Sequence, residues 1–240
     1  MKPVFVENKG NTRIVSHRGL SGVELENTLA AFVAAGNRDC FGVETDVHVT
    51  ADGKYVIIHD DRTGRVGEID LPVEESTFAQ LREVRLLERD GKGYTDMQKL
   101  LSLQEYLCVM RRYEKTAVIE LKNSMTEEHI ANIARICKEE YDLSKIIFIS
   151  FCYENLVVMR KLLPDQQLQY LTGMYEDGII EKLNKYGLGL DIEHSNLTKA
   201  RIDELHAAGI VINCFTCDTA ERAKELISWG VDMITSNIVL

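Results

Sequence analysis

Short apolar runs rich in β-branched residues recur along the chain, and between them lie longer stretches whose apolar positions repeat at helical spacing. The runs at 13–17, 41–48, 116–121, 145–150, 167–171, 187–191, 210–215 and 231–235 are the predicted strands. Helices are predicted at 27–38, 76–87 with 102–113, 126–141, 153–163, 176–186, 198–208 and 219–229. Thr126 followed by Glu127 and Glu128, Thr198, and Thr219 preceded by Asp218 are start signals, because a hydroxyl or carboxylate accepts from the free N–H groups of a first turn. Neither a repeat nor a low-complexity tract nor a linker interrupts the alternation, so residues 1–240 read as one domain. About eight β/α units in this length predict an α/β fold, a (β/α)8 TIM barrel; a doubly wound open sheet shares the local pattern. The last strand ends only a few residues before Leu240, so the eighth helix is expected to be missing or truncated, or its place to be taken by another segment.

Composition narrows the function classes more than the fold. Hydrophobic residues make up 45% of the 240 and charged residues 28%, which suits a soluble chain that buries a full core. A formal net charge of −10 repels nucleic acid and anionic membrane surfaces at long range, although a local cationic pocket is compatible with it. The amino-terminal "MKPVFVENKGNTR" has no apolar stretch of signal-peptide length, and no segment approaches the roughly 18 apolar residues of a membrane span. A cytoplasmic protein is therefore expected, with no nucleic-acid partner and no stable membrane insertion; a homo-oligomer is compatible with the sequence. Six cysteines, Cys40, Cys108, Cys137, Cys152, Cys214 and Cys217, lie mostly in apolar segments without a framework spacing, which predicts reduced packing residues. Cys214 and Cys217 form a C-x-x-C, but it closes an apolar strand rather than opening a helix, so packing is favoured over a redox role.

A barrel should carry its chemistry where the strands end, and several runs end in charged residues. The first stops at His17 and Arg18. In "GVETDVHV" the alternation puts Val43, Thr45 and Val47 on one face and Glu44, Asp46 and His48 on the other; "AVIELK" likewise separates Ile119 and Leu121 from Glu120 and Lys122. Carboxylates in mid-strand, inside a layer of helices, need a cation or hydrogen-bond partners. The segment after strand two is too short for a crossover helix, and Asp52-Gly53 is a hairpin turn. If the two occupy its centre, Ala51 pairs with Lys54, Asp46 falls opposite His59, and strand two returns His59 to the level of the carboxylates.

His17, Arg18, Glu44, Asp46, His59, Glu120 and Lys122 thus converge at one mouth. Three carboxylates without a dominant Cys or His cluster favour a hard divalent cation, Mg²⁺ or Ca²⁺. Arg18 and Lys122 beside that cation suit a phosphate, and two histidines supply the acid and base that cleavage of a P–O bond requires. The set reads as a metal-assisted phosphodiesterase. Blander readings attach to its neighbours: Glu120 and Lys122 as a simple ion pair, Asn27 as a helix cap, His48 and His194 beyond the rim without a role, and Phe215 as either a pocket wall or a plug.

The blocks "SHRG", "ENTLAAF", "GVETDVHVTADGKYVIIHD" and "IELK", in this order, closely resemble the glycerophosphodiester phosphodiesterases, and the likeness continues through "IIFISF" and "AAGIVINCFTCD" to "GVDMITSN". The resemblance implies a TIM barrel that hydrolyses a small-molecule glycerophosphodiester to sn-glycerol 3-phosphate and an alcohol. It implies metal ligation by Glu44, Asp46 and Glu120, acid/base catalysis by His17 and His59, and phosphate binding by Arg18 and Lys122; Phe215, as a pocket wall, is the remaining candidate substrate contact. The chain departs from the family in having Phe215-Thr216 for Trp-Thr and Ser236-Asn237 for Thr-Asp, and "HDDRTGR" is short after His59. Rival readings are another phosphodiesterase on this scaffold, a lysophospholipase D or phospholipase C-like enzyme, and a catalytically silent phosphodiester-binding protein. The lack of insertions favours small diesters over the first, and the intact histidines and carboxylates argue against the second.

Overall fold

The computed structural model describes residues 2–240. In chain order its elements are β1 (Arg13–Ser16), α1 (Leu29–Gly36), β2 (Gly42–Val49), β3 (Tyr55–Ile57), α2 (Phe78–Glu83), β4 (Leu86–Leu87), β5 (Tyr94–Thr95), β6 (Leu101–Ser102), α3 (Leu103–Tyr113) and β7 (Thr116–Leu121). There follow α4 (Glu127–Glu140), β8 (Ile146–Ser150), α5 (Tyr153–Leu162), β9 (Gln167–Thr172), α6 (Ile179–Asn184), β10 (Gly189–Glu193), α7 (Lys199–Ala207), β11 (Ile212–Phe215), α8 (Ala220–Trp229) and β12 (Met233–Ser236). Eight parallel strands run in the cyclic order β1, β2, β7, β8, β9, β10, β11, β12, and β1 pairs with both β12 and β2, so the sheet closes. These are the eight strands expected from the hydrophobic runs, and the open-sheet alternative is excluded.

Alternation along each strand separates two apolar layers. Val43, Val47, Ile119, Leu121, Leu190 and Ile192 pack outward with the helices, whereas Val15, Val118, Ile147, Ile149, Leu171 and Met233 fill the barrel. Thr126, Thr198 and Thr219 cap α4, α7 and α8 by accepting from the backbone N–H three residues on. Two helices are shorter than their periodicity predicts. The 76–87 stretch is helical only over Phe78–Glu83, because Leu86 turns away to join Val56, Ile58, Val66, Val73, Leu81 and Leu100 in a second small core beneath the 58–101 excursion. The 176–186 stretch is helical only over Ile179–Asn184.

No helix follows β12 among the described residues; residues 238–240 instead pair with residues 4–6. Val4 N–H donates to Ile238 O (3.0 Å), Leu240 N–H to Val4 O (2.8 Å) and Val6 N–H to Leu240 O (3.0 Å), with Val6, Val239 and Leu240 buried against the outer layer. The expectation of another segment in place of the eighth helix therefore holds.

The hairpin register differs from the expected one by a residue. Val47 pairs with Ile57 and Val49 with Tyr55, so Asp46 stands level with Ile58, not His59. The turn has three residues: Thr50 N–H donates to Lys54 O (2.9 Å), Gly53 N–H to Thr50 O (2.9 Å), and Gly53 has φ +69°. Thr50 Oγ1 selects this longer loop by donating to Asp52 Oδ1 (2.7 Å) while it accepts from Lys54 N–H (2.9 Å).

Candidate active site

Strand β2 runs beside β7 with Asp46 directly opposite Glu120, and Glu44 lies two residues back on the same face. Side-chain oxygens of Glu44, Asp46 and Glu120, all buried, come within 4.8 Å of one another. Two cations reach in. Lys122 Nζ lies 3.0 Å from Glu120 Oε1 and 3.7 Å from Asp46 Oδ1, and Arg18 Nε lies 3.6 Å from Asp46 Oδ2. Burial would raise all three carboxyls, but Lys122 and Arg18 hold Asp46 below the usual carboxylate value. The other two yield to it: burial, then Asp46, push Glu120 up to about 8, and burial with Asp46 and Glu120 pushes Glu44 well above its ordinary value. Asp46 Oδ1 has no hydrogen-bond partner. Glu44, Asp46 and Glu120 could hold a hard cation, whose charge would balance these buried acids.

Around this centre Arg18 (φ 52°) and Asn27 (φ 55°) both adopt left-handed backbone. Arg18 N–H thereby donates to Glu44 Oε2 (2.8 Å), and its guanidinium to Glu26 Oε1 (2.9 Å). Asn27 is not the helix cap: Thr28 is, accepting from Ala31 N–H. Asn27 instead donates to Asp46 Oδ2 (2.8 Å) and accepts from Thr45 Oγ1 (2.9 Å), which fixes the carboxylate between the strands.

The imidazoles of His17 and His59 line one cavity of about 210 Å³. Asn237 Nδ2 donates to Asp218 Oδ2 (2.6 Å), so its Oδ1 is the atom facing His17 Nδ1 at 2.7 Å. His17 therefore donates from Nδ1 and leaves Nε2, 3.9 Å from Glu44 Oε2, free towards the acids. Burial, then Arg18, push its pKa down to about 4, so the ring is neutral. On the other side His59 donates from Nδ1 to Asp60 Oδ1 (2.6 Å). Arg65 forks between Asp60 and Glu26, with contacts of 2.6 and 3.0 Å to the first and 2.7 and 2.8 Å to the second. Since Glu26 also holds Arg18, a chain of alternating charge joins Arg18 to His59 through "HDDRTGR".

His48 does not lie idle beyond the rim. It is fully buried, with Nδ1 3.0 Å from Glu74 Oε1 and Nε2 3.3 Å from the carbonyl oxygen of His59, so it holds the backbone of the residue that the shifted register no longer aligns with Asp46. His194 faces Arg222 Nε (3.3 Å), outside the cavity. Phe215 lines the cavity edge-on to Phe151, with centroids 6.0 Å apart. Cys214 and Cys217 are buried free thiols, as their apolar setting predicts. Asn27, Asn237, Arg65, Phe151 and Asp191 complete the site without a signal in the hydrophobic pattern; Asn237 was visible as a departure at a strand end, and Asn27 only as a helix cap. Two larger grooves, of about 480 and 400 Å³, open around Gln166 and Gln167 at the other end of the strands and hold no acidic cluster or histidine.

Comparison with known proteins agrees with this geometry. The sequence model of the Glycerophosphoryl diester phosphodiesterase family matches residues 17–239. A glycerophosphodiester phosphodiesterase of Bacillus altitudinis is 29% identical over 233 residues, covering 93% of each chain. A phosphodiesterase of Oleispira antarctica, solved in complex with the product sn-glycerol 3-phosphate, superposes with a TM-score of 0.89 at 29% identity over 94% of this chain and 93% of that one. A glycerophosphodiester phosphodiesterase of Parabacteroides distasonis superposes with a TM-score of 0.78 at 26% identity over 96% and 94%. With a closed barrel, an acidic centre at its mouth and a family match over nearly its whole length, the chain belongs to the glycerophosphoryl diester phosphodiesterase family.

Proposed function

We propose that the protein hydrolyses glycerophosphodiesters to sn-glycerol 3-phosphate and an alcohol, with His17 and His59 as the acid/base pair. A hydroxyl, of water directly or of the glyceryl group before water opens the resulting cyclic phosphate, adds to phosphorus; the P–O bond to the alcohol breaks, and one imidazole takes the attacking group's proton while the other supplies one to the departing oxygen. Neutral His17 is in the form that accepts a proton, and the Asp60 bond that fixes His59 Nδ1 leaves its Nε2 for the substrate. Arg18 and Lys122 would bind the phosphate oxygens, and Phe215 would pack on the esterified group. Glu44, Asp46 and Glu120 would hold the divalent ion, Mg²⁺ or Ca²⁺, which when bound contributes positive charge against the phosphate. One observation carries the reading: of three clustered buried carboxylates, Glu44 and Glu120 line the cavity that both imidazoles line, and Asp46 beside them has an oxygen without a hydrogen bond. A cytoplasmic setting is part of it, supported by six free cysteines; no helix among the described residues is long and apolar enough to cross a membrane.

Purified protein, assayed for glycerol 3-phosphate release from a panel of glycerophosphodiesters, should lose turnover on exhaustive chelation and regain it with Mg²⁺, Ca²⁺ or Mn²⁺. His17→Ala and His59→Ala should each lower kcat by roughly 10²–10⁴-fold, and Asp46→Asn should weaken metal affinity with the fold intact. Full activity in chelator would overturn the metal requirement, and near-normal turnover by either histidine variant would overturn the two-histidine chemistry.

A further inference from the structure

Diametrically across the barrel from β2 lies β10, and from it a fourth acid points inward: Asp191, 1% exposed, between Leu171 of β9 and Asn213 of β11. None of the roles above uses it. Asn213 Nδ2 donates to Asp191 Oδ2 (3.0 Å), and that orientation is fixed because Asn213 Oδ1 accepts from Thr235 Oγ1 (3.2 Å) and Cys214 N–H (2.9 Å). Asp191 Oδ1 is left with no hydrogen-bond partner. The residue borders the same cavity as His17 and Glu120, whose remaining walls include Ile149, Leu171 and Phe215 and the hydroxyl-bearing Thr216 and Thr235. A polar group kept for packing would be fully paired, and an apolar side chain would fill this position at less expense. An unpaired carboxyl oxygen on the wall facing the phosphate side marks where the rest of the substrate is recognised.

We propose that Asp191 is a specificity-determining residue that hydrogen-bonds a hydroxyl of the substrate's glyceryl group. This rests on the phosphodiesterase reading and adds the contact that selects what is esterified. A hydroxyl suits the position better than an ammonium for two reasons. One acceptor atom lacks a hydrogen bond, which a single hydroxyl donor satisfies, whereas an ammonium brings three donors to it. A hydroxyl also pairs with the carboxyl in either form, by donating to the carboxylate or accepting from the acid, whereas an ammonium requires the carboxylate in a place where burial opposes it.

The test compares three nitrophenyl phosphodiesters with one leaving group and different retained groups: glyceryl, propyl and 2-aminoethyl 4-nitrophenyl phosphate, with Mg²⁺ present. Wild-type enzyme should prefer the glyceryl over the propyl ester by at least about 10-fold in kcat/KM. Asp191→Leu, close in size, should lower kcat/KM for the glyceryl ester by about 10–10²-fold and leave the propyl ester within about 2-fold. Asp191→Asn turns its amide to the open position, from which a hydroxyl can still accept, and should keep most of the glyceryl preference. If Asp191→Leu does not fold, Asp191→Ala should show the same loss of preference, and the ratio of the two esters cancels any loss of active protein. A wild-type ratio near one, an equal fall for both esters, or a fall confined to the aminoethyl ester would each overturn the assignment. Failure of the wild type to cleave any of the three would remove the phosphodiesterase reading, and this one with it.

Discussion

Asn237 has to do two opposite things at one amide. Its Oδ1 accepts from His17 Nδ1 (2.7 Å) and Ser21 Oγ (2.7 Å), while its Nδ2 and backbone N–H donate to Asp218 at 2.6 and 2.8 Å. A carboxylate here would satisfy the imidazole and collide with Asp218. Asn237→Asp should therefore lower the melting temperature, because two carboxylates would be forced to about the 2.6 Å now spanned by the amide bond. Adding Asp218→Asn restores a donor opposite the new acid and should recover most of that loss. In the double variant His17 donates to a charge, so its imidazolium is stabilised, and the limb of the kcat/KM pH profile that reports His17 should move up by about one pH unit. A double variant as unstable as the single one would show that Asp218 is not the partner that dictates asparagine. An unshifted profile would show that Asn237 does not set the basicity of His17.

At the scale of elements, the turn between β2 and β3 decides where His59 arrives. Gly53 is at φ +69°, and a Cβ there would meet only His129 Cε1 at 3.9 Å, so the glycine is required by backbone conformation and not by space. Gly53→Val should destabilise the protein by about 1–2 kcal/mol in urea or thermal unfolding. Since His59 is also held by His48 and Asp60, kcat/KM of the folded variant should stay within about 3-fold. A large kinetic loss at unchanged stability would mean that the turn, and not those contacts, places His59. The same hairpin shows what a sequence discloses. Glu44, Asp46 and Glu120 were legible because alternation forces them to one face of strands covered by helices, and the turn at 51–53 was legible from Asp-Gly. The register was not, because a hydroxyl–carboxylate bond between Thr50 and Asp52 lengthens the loop by a residue. Nor were Asn27 and Arg65: one acts from a left-handed backbone position, and the other belongs to a loop whose course is set by its bonds to Glu26 and Asp60.

For the whole molecule, closing the barrel has an electrostatic consequence, because it brings together acids from strands that are far apart in sequence. Glu120 titrates near 8 in the cation-free fold against an ordinary value of 4.5, so folding favours its protonated form. That stabilisation is fully present below pH 4.5 and is lost as the pH rises through 8. His17 runs the other way: lowered from 6.5 to about 4, it makes stability rise with pH between those values and contributes no slope above 6.5. Between pH 6.5 and 8 the acid centre therefore sets how stability changes with pH. Glu44, raised by burial, Asp46 and Glu120, and Asp191, raised by burial and Glu120, act in the same direction. Cation-free protein should therefore lose on the order of 2 kcal/mol of stability across this window. A bound divalent ion reverses the balance, since it favours the ionised carboxylates, so the stabilisation by saturating Mg²⁺ or Ca²⁺ should be larger at pH 8 than at pH 6.5. Thermal unfolding at the two pH values, with chelator and with cation, measures both slopes. A cation effect of equal size at both would mean that the ion binds elsewhere than at Glu44, Asp46 and Glu120. A melting temperature in chelator that rises from pH 6.5 to 8 would mean that these carboxylates are already ionised in the cation-free fold, held by Lys122 and Arg18 alone.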